Sequence, residues 1–312
     1  MTGGPSRSKS ARIYSLITTF SWALGGAVVA AALALMGTAA AAPPANTVTR
    51  GAYLAAAAGC DQCHTDSKNA GRAYAGGRTL ETSLGTVVSP NITPDPDTGI
   101  GRWQFADFAR ALRWGIAPDD THYLQAFPFP FYNHLTDADV ADLKAFLETV
   151  SPISQANHAD GASLLPAARA RAAIAVVDQR FRGPLVSDPS RDATWNRGAY
   201  LVATVGRCGD CHTPRNFFGT PDPGRLFAGS SAGPGGKHVP NITPDPATGI
   251  GQWSEEDIVN LLKDGQTPEF DFVGGAMAEI VHNTSRLDAA DRHAIAVYLK
   301  SLPPIRSEKK GR

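Results

Sequence analysis

The chain repeats itself, and the repeat fixes the plan of whatever it folds into. Arg50-Gly51-Ala52-Tyr53-Leu54 returns as Arg197-Gly198-Ala199-Tyr200-Leu201, and Cys60-Asp61-Gln62-Cys63-His64-Thr65 returns as Cys208-Gly209-Asp210-Cys211-His212-Thr213. The run from Pro90 to Gly101, then Trp103, returns from Pro240 to Gly251, then Trp253. The offset is 148 at the cysteines and 150 at the proline-rich run, so the register barely drifts. Two copies are too few for a solenoid and read as a duplicated domain. One copy covers 50–150, the other 197–305, and 151–196 join them.

Each copy has the same coarse plan. A helix precedes the cysteine pair, with Tyr53, Leu54 and Ala57 in one copy and Tyr200, Leu201 and Thr204 in the other. The Asn-Ile-Thr-Pro-Asp-Pro loop is no helix interior, because proline blocks α geometry at itself and before itself. A second helix follows each Trp, over 105–114 and 255–262, with Ser254 as N-cap. A third closes each copy. Val140, Leu143, Phe146 and Leu147 lie at helical spacing behind Thr136-Asp137, as do Ile295, Val297, Tyr298 and Leu299 behind Asp288. Pro152 and Pro303-Pro304 stop these two helices. No stretch alternates for long, so the expected class is all-α with much loop, two tandem domains of one design. Residues 164–181 read as a short helix and 183–195 as an irregular strap.

The first 42 residues read as an address rather than as fold. Arg7, Lys9 and Arg12 precede a mostly apolar stretch from Leu16 to Met36, which runs into Gly37-Thr38-Ala39-Ala40-Ala41-Ala42. Basic start, apolar middle and small-residue exit make a secretory signal. The apolar run is also long enough for a retained membrane anchor. In either case the remainder is expected on the far side of the membrane, in or facing the periplasm. Without those three cations, 26 basic groups face 29 acidic ones, which excludes a nucleic-acid binder.

Two Cys-x-x-Cys-His motifs, each behind a helix in an exported chain, read as covalent attachment of two haems. Two thiols two residues apart reach the vinyl groups of one porphyrin edge, and the adjacent His turns its ring under the iron. That assigns Cys60, Cys63 and His64 to the first haem and Cys208, Cys211 and His212 to the second. A redox dithiol does not need a His after both pairs, and a Cys₄ zinc site would need the two pairs to converge.

The sixth ligands differ. Outside the leader the chain has one methionine, Met277, 65 residues after His212 and following Gly274-Gly275-Ala276. It is the expected distal ligand of the second haem, and a soft sulfur raises the reduction potential relative to a second imidazole. The first half has no such residue. Its foremost candidate is His134, 70 residues after His64, with His122 or an open iron as the alternatives. His158, His238, His282 and His293 read as structural or solvent-exposed. The Asn-Ile-Thr-Pro-Asp loops with Trp103 and Trp253 read either as haem-propionate partners or as rigid turns over a haem edge. Arg50 and Arg197 read as propionate partners or surface cations.

From about residue 50 to 305 the chain resembles the exported dihaem cytochromes c that accept electrons within bacterial periplasmic dehydrogenases, those for alcohol and gluconate and those paired with molybdenum hydroxylases. Both Cys-x-x-Cys-His motifs, both proline-rich loops, Cys208 to Arg215 and Met277-Ala278-Glu279 carry the resemblance. It implies tandem cytochrome c-like domains with no catalytic residues. Electrons would enter from a dehydrogenase subunit and leave to an oxidase, a quinone or a soluble cytochrome. The chain departs from the resemblance in lacking a third haem domain and in placing Phe127 or Leu135 where relatives often carry a first-domain methionine. An open first iron would suit a peroxidase, a sulfur-compound oxidase or a gas sensor, although all four cysteines are already used by haem attachment.

Overall fold

The computed structural model describes residues 45–82, 85–124, 126–158, 183–216, 221–231, 233 and 236–307. The expected leader or anchor and the helix expected over 164–181 lie outside the described residues. The first half runs α1 (Ala45–Ala58), α2 (Cys60–Cys63), β1 (Thr79–Thr82), β2 (Gly85–Val88), α3 (Phe105–Trp114), α4 (Phe129–Tyr132) and α5 (Asp137–Leu147). The second runs α6 (Ala193–Ala203), α7 (Cys208–His212), α8 (Glu255–Asp264), α9 (Ala276–Thr284) and α10 (Ala289–Ser301). Among the described residues no helix is long and apolar enough to cross a membrane.

The helices begin and end where local chemistry says they must. Gln104 with Asp107, and Ser254 with Asp257, form reciprocal capping boxes that open α3 and α8. The Thr136 hydroxyl accepts from the Asp139 amide at 3.1 Å and caps α5, and the Asp192 carboxylate accepts from the Trp195 amide at 2.7 Å and caps α6. Two features depart from the all-α plan of three helices per copy. An antiparallel β1–β2 ladder pairs Thr79 with Val88 and Thr82 with Gly85, and four-residue strands are too short for alternation to stand out. A fourth helix also stands before each closing helix, nine residues long in α9 and one turn in α4, where Pro130 sits within the first turn.

In each half the opening helix crosses the closing one, α1 on α5 and α6 on α10. Leu54, Leu135, Val140 and Leu143 belong to the same buried cluster as Leu201, Val202, Ile295 and Leu299, so one core spans both halves. The halves exchange tyrosines. Tyr53 donates to the Asp291 carboxylate at 2.7 Å and accepts from the Asp288 amide at 3.0 Å. Tyr200 donates to Asp139 and accepts from the Thr136 amide at 3.0 Å. Each tyrosine thus caps the closing helix of the other half.

The same acids hold Arg50 and Arg197. Arg50 pairs with Asp139 at 3.2 Å and Asp142 at 2.8 Å, and Arg197 pairs with Asp291 at 2.6 Å. Both arginines therefore brace the helix crossing, a role outside the two the sequence suggested. Burial raises the Asp291 carboxyl, but the bonds from Arg197 and Tyr53 outweigh it and hold it below the usual carboxylate range.

Candidate haem sites

The cysteine turns are built alike in the two halves. Gly59 enters α2 in the left-handed region at φ 69°, and Arg207 enters α7 the same way at φ 47°. That conformation is easy for glycine and costly for arginine, so the second turn is held against local preference. The turn itself is one helical loop, with the His64 amide donating to the Cys60 carbonyl at 2.9 Å. Residues three apart on a helix share a face, which presents both thiols of each pair together. No disulfide joins any of the four cysteines. Burial, then the neighbouring Cys63, pushes Cys60 up to about 12; burial, then Cys211, does the same to Cys208. A reactive dithiol needs the opposite shift. Among the described residues no group of three or more His, Cys, Asp or Glu converges to hold a metal ion, which leaves the zinc reading without a site.

The proline-rich loops orient the histidines. His64 Nδ1 lies 2.8 Å from the Pro90 carbonyl and His212 Nδ1 lies 2.8 Å from the Pro240 carbonyl. A carbonyl can only accept, so each Nδ1 carries the proton and each Nε2 is left as the ligating atom. Burial lowers the pKa of both rings, favouring the neutral form a metal needs. The prolines themselves were legible as loop formers; the role of their carbonyls was not.

The loop asparagines are spent on the protein. Asn91 Oδ1 accepts from the Thr93 amide at 2.9 Å and hydroxyl at 2.7 Å, and its amide donates to Thr98 at 3.0 Å and to the Ile153 carbonyl at 2.7 Å. Asn241 repeats this with Thr243, Thr248 and the Ile305 carbonyl. Both side chains are almost fully buried. They fasten the chain after each closing helix beneath the loop, which favours the rigid turn over propionate binding. Half-buried Ile92, Trp103, Leu112 and Phe127 in the first half, and Ile242, Trp253, Val259 and Leu261 in the second, pack against the core. Paired thiols, an oriented imidazole and an apolar wall fit a porphyrin in each half.

The distal sides differ. An isolated bridge joins Ile116 to His122 in the first half and Gln266 to Phe272 in the second. Five residues beyond each bridge stand Phe127 and Met277, so Phe127 occupies the methionine's place in the repeat. Met277 is half-buried as the second residue of α9. His134 is half-buried, with Nδ1 3.1 Å from the Gly183 carbonyl, and burial lowers its pKa. His122 is exposed, as are His158, His238, His282 and His293.

Comparison with known proteins adds sequence kinship to this geometry. The cytochrome c family profile matches residues 48–151. A diheme cytochrome c-type protein of Cereibacter sphaeroides is 42% identical over 261 residues, covering 82% of this chain and 86% of that one. The fructose dehydrogenase cytochrome subunit of Gluconobacter japonicus is 39% identical over 259 residues, covering 82% of this chain and 53% of its own. A nicotinate dehydrogenase subunit of Pseudomonas putida is 39% identical over 259 residues, covering 81% of this chain but 21% of its own. The chain thus spans about half of the fructose dehydrogenase relative and about a fifth of the nicotinate dehydrogenase one.

Proposed function

The chain belongs to the family of dihaem c-type cytochromes and dehydrogenase cytochrome subunits, and from that premise we propose that its two halves each hold one haem and pass electrons from a periplasmic dehydrogenase subunit towards the respiratory chain. It is an electron-transfer protein with covalently bound haem c, not a catalytic subunit. The observation that carries the count of two is the congruence of the turns, in which His64 and His212 meet the carbonyls of Pro90 and Pro240 at the same 2.8 Å.

Haem supplies the one-electron iron couple. The chain supplies attachment through Cys60, Cys63, Cys208 and Cys211, orientation through His64 and His212, and tuning through the sixth ligands. The acceptor belongs to the classes of oxidase, quinone or soluble cytochrome. The basic and apolar segment before residue 43 supports export, either cleaved or kept as an anchor. No observation favours the peroxidase or sulfur-oxidase alternative.

In an anaerobic reductive titration the protein is expected to take up two electrons per chain. It then delivers them to an added soluble cytochrome c without consuming hydrogen peroxide. One electron per chain, or steady peroxide turnover, sinks this reading.

For the first haem we assign His134 as the sixth ligand. Its support is the shared pattern of the three rings, each with Nδ1 on a backbone carbonyl, at 2.8 Å for His64 and His212 and at 3.1 Å for His134. Low-temperature EPR of the oxidised protein is expected to show two low-spin signals, one of which turns high-spin in His134→Ala. A high-spin signal already present in the unaltered protein would mean an open iron; an unchanged variant would turn attention to His122.

A further inference from the structure

We propose that Arg78 and Gln62 of the first half are positioning residues for Met277 of the second, forming a clasp between the first cysteine turn and the helix that carries the thioether. The inference rests on the reading of Met277 as sixth ligand of the second haem. Gln62 stands between the two cysteines of the first turn, and its amide donates to the Glu279 carbonyl at 3.2 Å. Arg78 donates through Nη1 to the Gln62 carbonyl at 2.8 Å and through Nη2 to both Glu279 carboxylate oxygens at 3.0 Å. Glu279 is two residues after Met277 in the first turn of α9, so a bond to its backbone fixes the same helical turn that aims the sulfur.

Further along, Arg286 clamps Asp61 at 2.8 and 3.1 Å and donates to the Ala56 carbonyl at 2.9 Å. Asn283 lies so close to Gly59 that a Cβ there would meet its amide nitrogen at 2.4 Å. The whole of α9 therefore lies along the first haem turn. At its far end α9 is held on α8, where the Thr284 hydroxyl donates to the Leu262 carbonyl at 2.6 Å, so the clasp acts on its N-terminal turn. Gly274 and Gly275 precede it, and a Cβ on either would meet nothing within 4 Å.

The repeat provides its own control. Two residues past Gly76 stands Arg78, whereas two past its counterpart Gly229 stands Ser231. Gln62 corresponds to Asp210, and Glu279 corresponds to Phe129. The clasp is thus present on the side with a methionine and absent on the side with Phe127. A neutral thioether is a weak iron ligand, easily displaced by a nitrogen base, so its hold depends on how well the backbone presents it. Surface ion pairs alone contribute little. Here one guanidinium nitrogen is shared by both Glu279 oxygens while the other is braced by the Gln62 carbonyl, so the fork ties the two elements together.

The test uses the holoprotein and imidazole as a competitor for the position of the sulfur, read through the near-infrared sulfur-to-iron band of the ferric state. In Arg78→Ala imidazole is expected to displace the sulfur about tenfold more readily, with a lower midpoint potential for the second haem. Gln62→Ala moves both readouts the same way by less. Arg78→Lys restores part of the loss, since a lysine keeps the charge but not the fork. Far-ultraviolet circular dichroism and the haem content per chain stay as in the unaltered protein. A band of full strength with unchanged imidazole affinity and potential in both alanine variants overturns the clasp alone. If Met277→Leu leaves the band intact, the assignment of Met277 fails and the clasp falls with it.

Discussion

Replacing Cys60 and Cys63 together by serine halves the haem absorbance per chain and destabilises the protein well beyond the first half. The haem loss follows from the chemistry of attachment: serine offers no sulfur for a thioether, and His64 alone holds a porphyrin only by coordination. The spread of the damage follows from the packing. Leu54 and Leu135 share one buried cluster with Leu201 and Leu299. The turn that would lose its cofactor also supports α9 through Gln62 and Gly59, and the turn after α9 through Asp61. Small apolar cores with many prolines leave much of the burial to the cofactor, and a bound group stabilises the folded chain that binds it. We expect a loss of more than about 4 kcal/mol, at the upper end of what substitutions cost. Mass spectrometry and thermal unfolding read the two effects separately. Cys208→Ser with Cys211→Ser should mirror the result. If either pair costs one haem while the melting profile stays unchanged, the halves are independent and the shared core has no energetic meaning.

What the residues alone convey divides along physical lines. The helices of both halves were legible because caps and apolar spacing are local: Ser254 does cap α8 and α10 does end just before Pro303, whereas α5 already stops at Leu147, five residues short of Pro152. The two cysteine turns were legible because the same Cys-x-x-Cys-His spacing occurs twice in the residues themselves. The β1–β2 ladder and α9 were not, since the strands span four residues each and the α9 stretch is bounded by paired glycines on one side and a turn on the other. Partners distant in sequence were least legible of all. Nothing in Arg50 or Arg197 announces Asp142 or Asp291, and nothing in Arg78 announces Glu279, 201 residues away. The loop asparagines stood open between a cofactor contact and a rigid turn, and the structure favours the turn, since both are consumed in holding the segments that follow α5 and α10.

Gly51→Ala is expected to destabilise the protein although the same change inside an exposed helix would stabilise it. Alanine favours helix over glycine by roughly 1 kcal/mol. Against that, a Cβ at Gly51 would stand 1.9 Å from the Asp142 carbonyl oxygen and 2.8 Å from the Phe146 Cβ. The obstacle is the backbone of α5, which cannot rotate away as a flexible side chain can. The helices must part, which withdraws Leu54 and Ala55 from Leu143 and draws Arg50 off Asp139 and Asp142. Overpacking of this kind costs about 1–3 kcal/mol and occasionally more, and a clash with main chain belongs at the high end. The clash therefore outweighs propensity, and the net loss should be about 2 kcal/mol or more. Gly198 stands in the same relation to the Ala294 carbonyl oxygen, also at 1.9 Å, with the Tyr298 Cβ at 2.8 Å, so Gly198→Ala should lose a similar amount. Gly274→Ala, where a Cβ meets nothing within 4 Å, is the control and should leave stability nearly unchanged. Urea titrations of the three variants decide the matter. A neutral or stabilised Gly51→Ala would mean that α1 and α5 cross at a looser distance than the geometry shows. Equal losses at Gly51 and Gly198 would mean that the duplicated crossing carries the same load in both halves, whichever ligand completes the haem beside it.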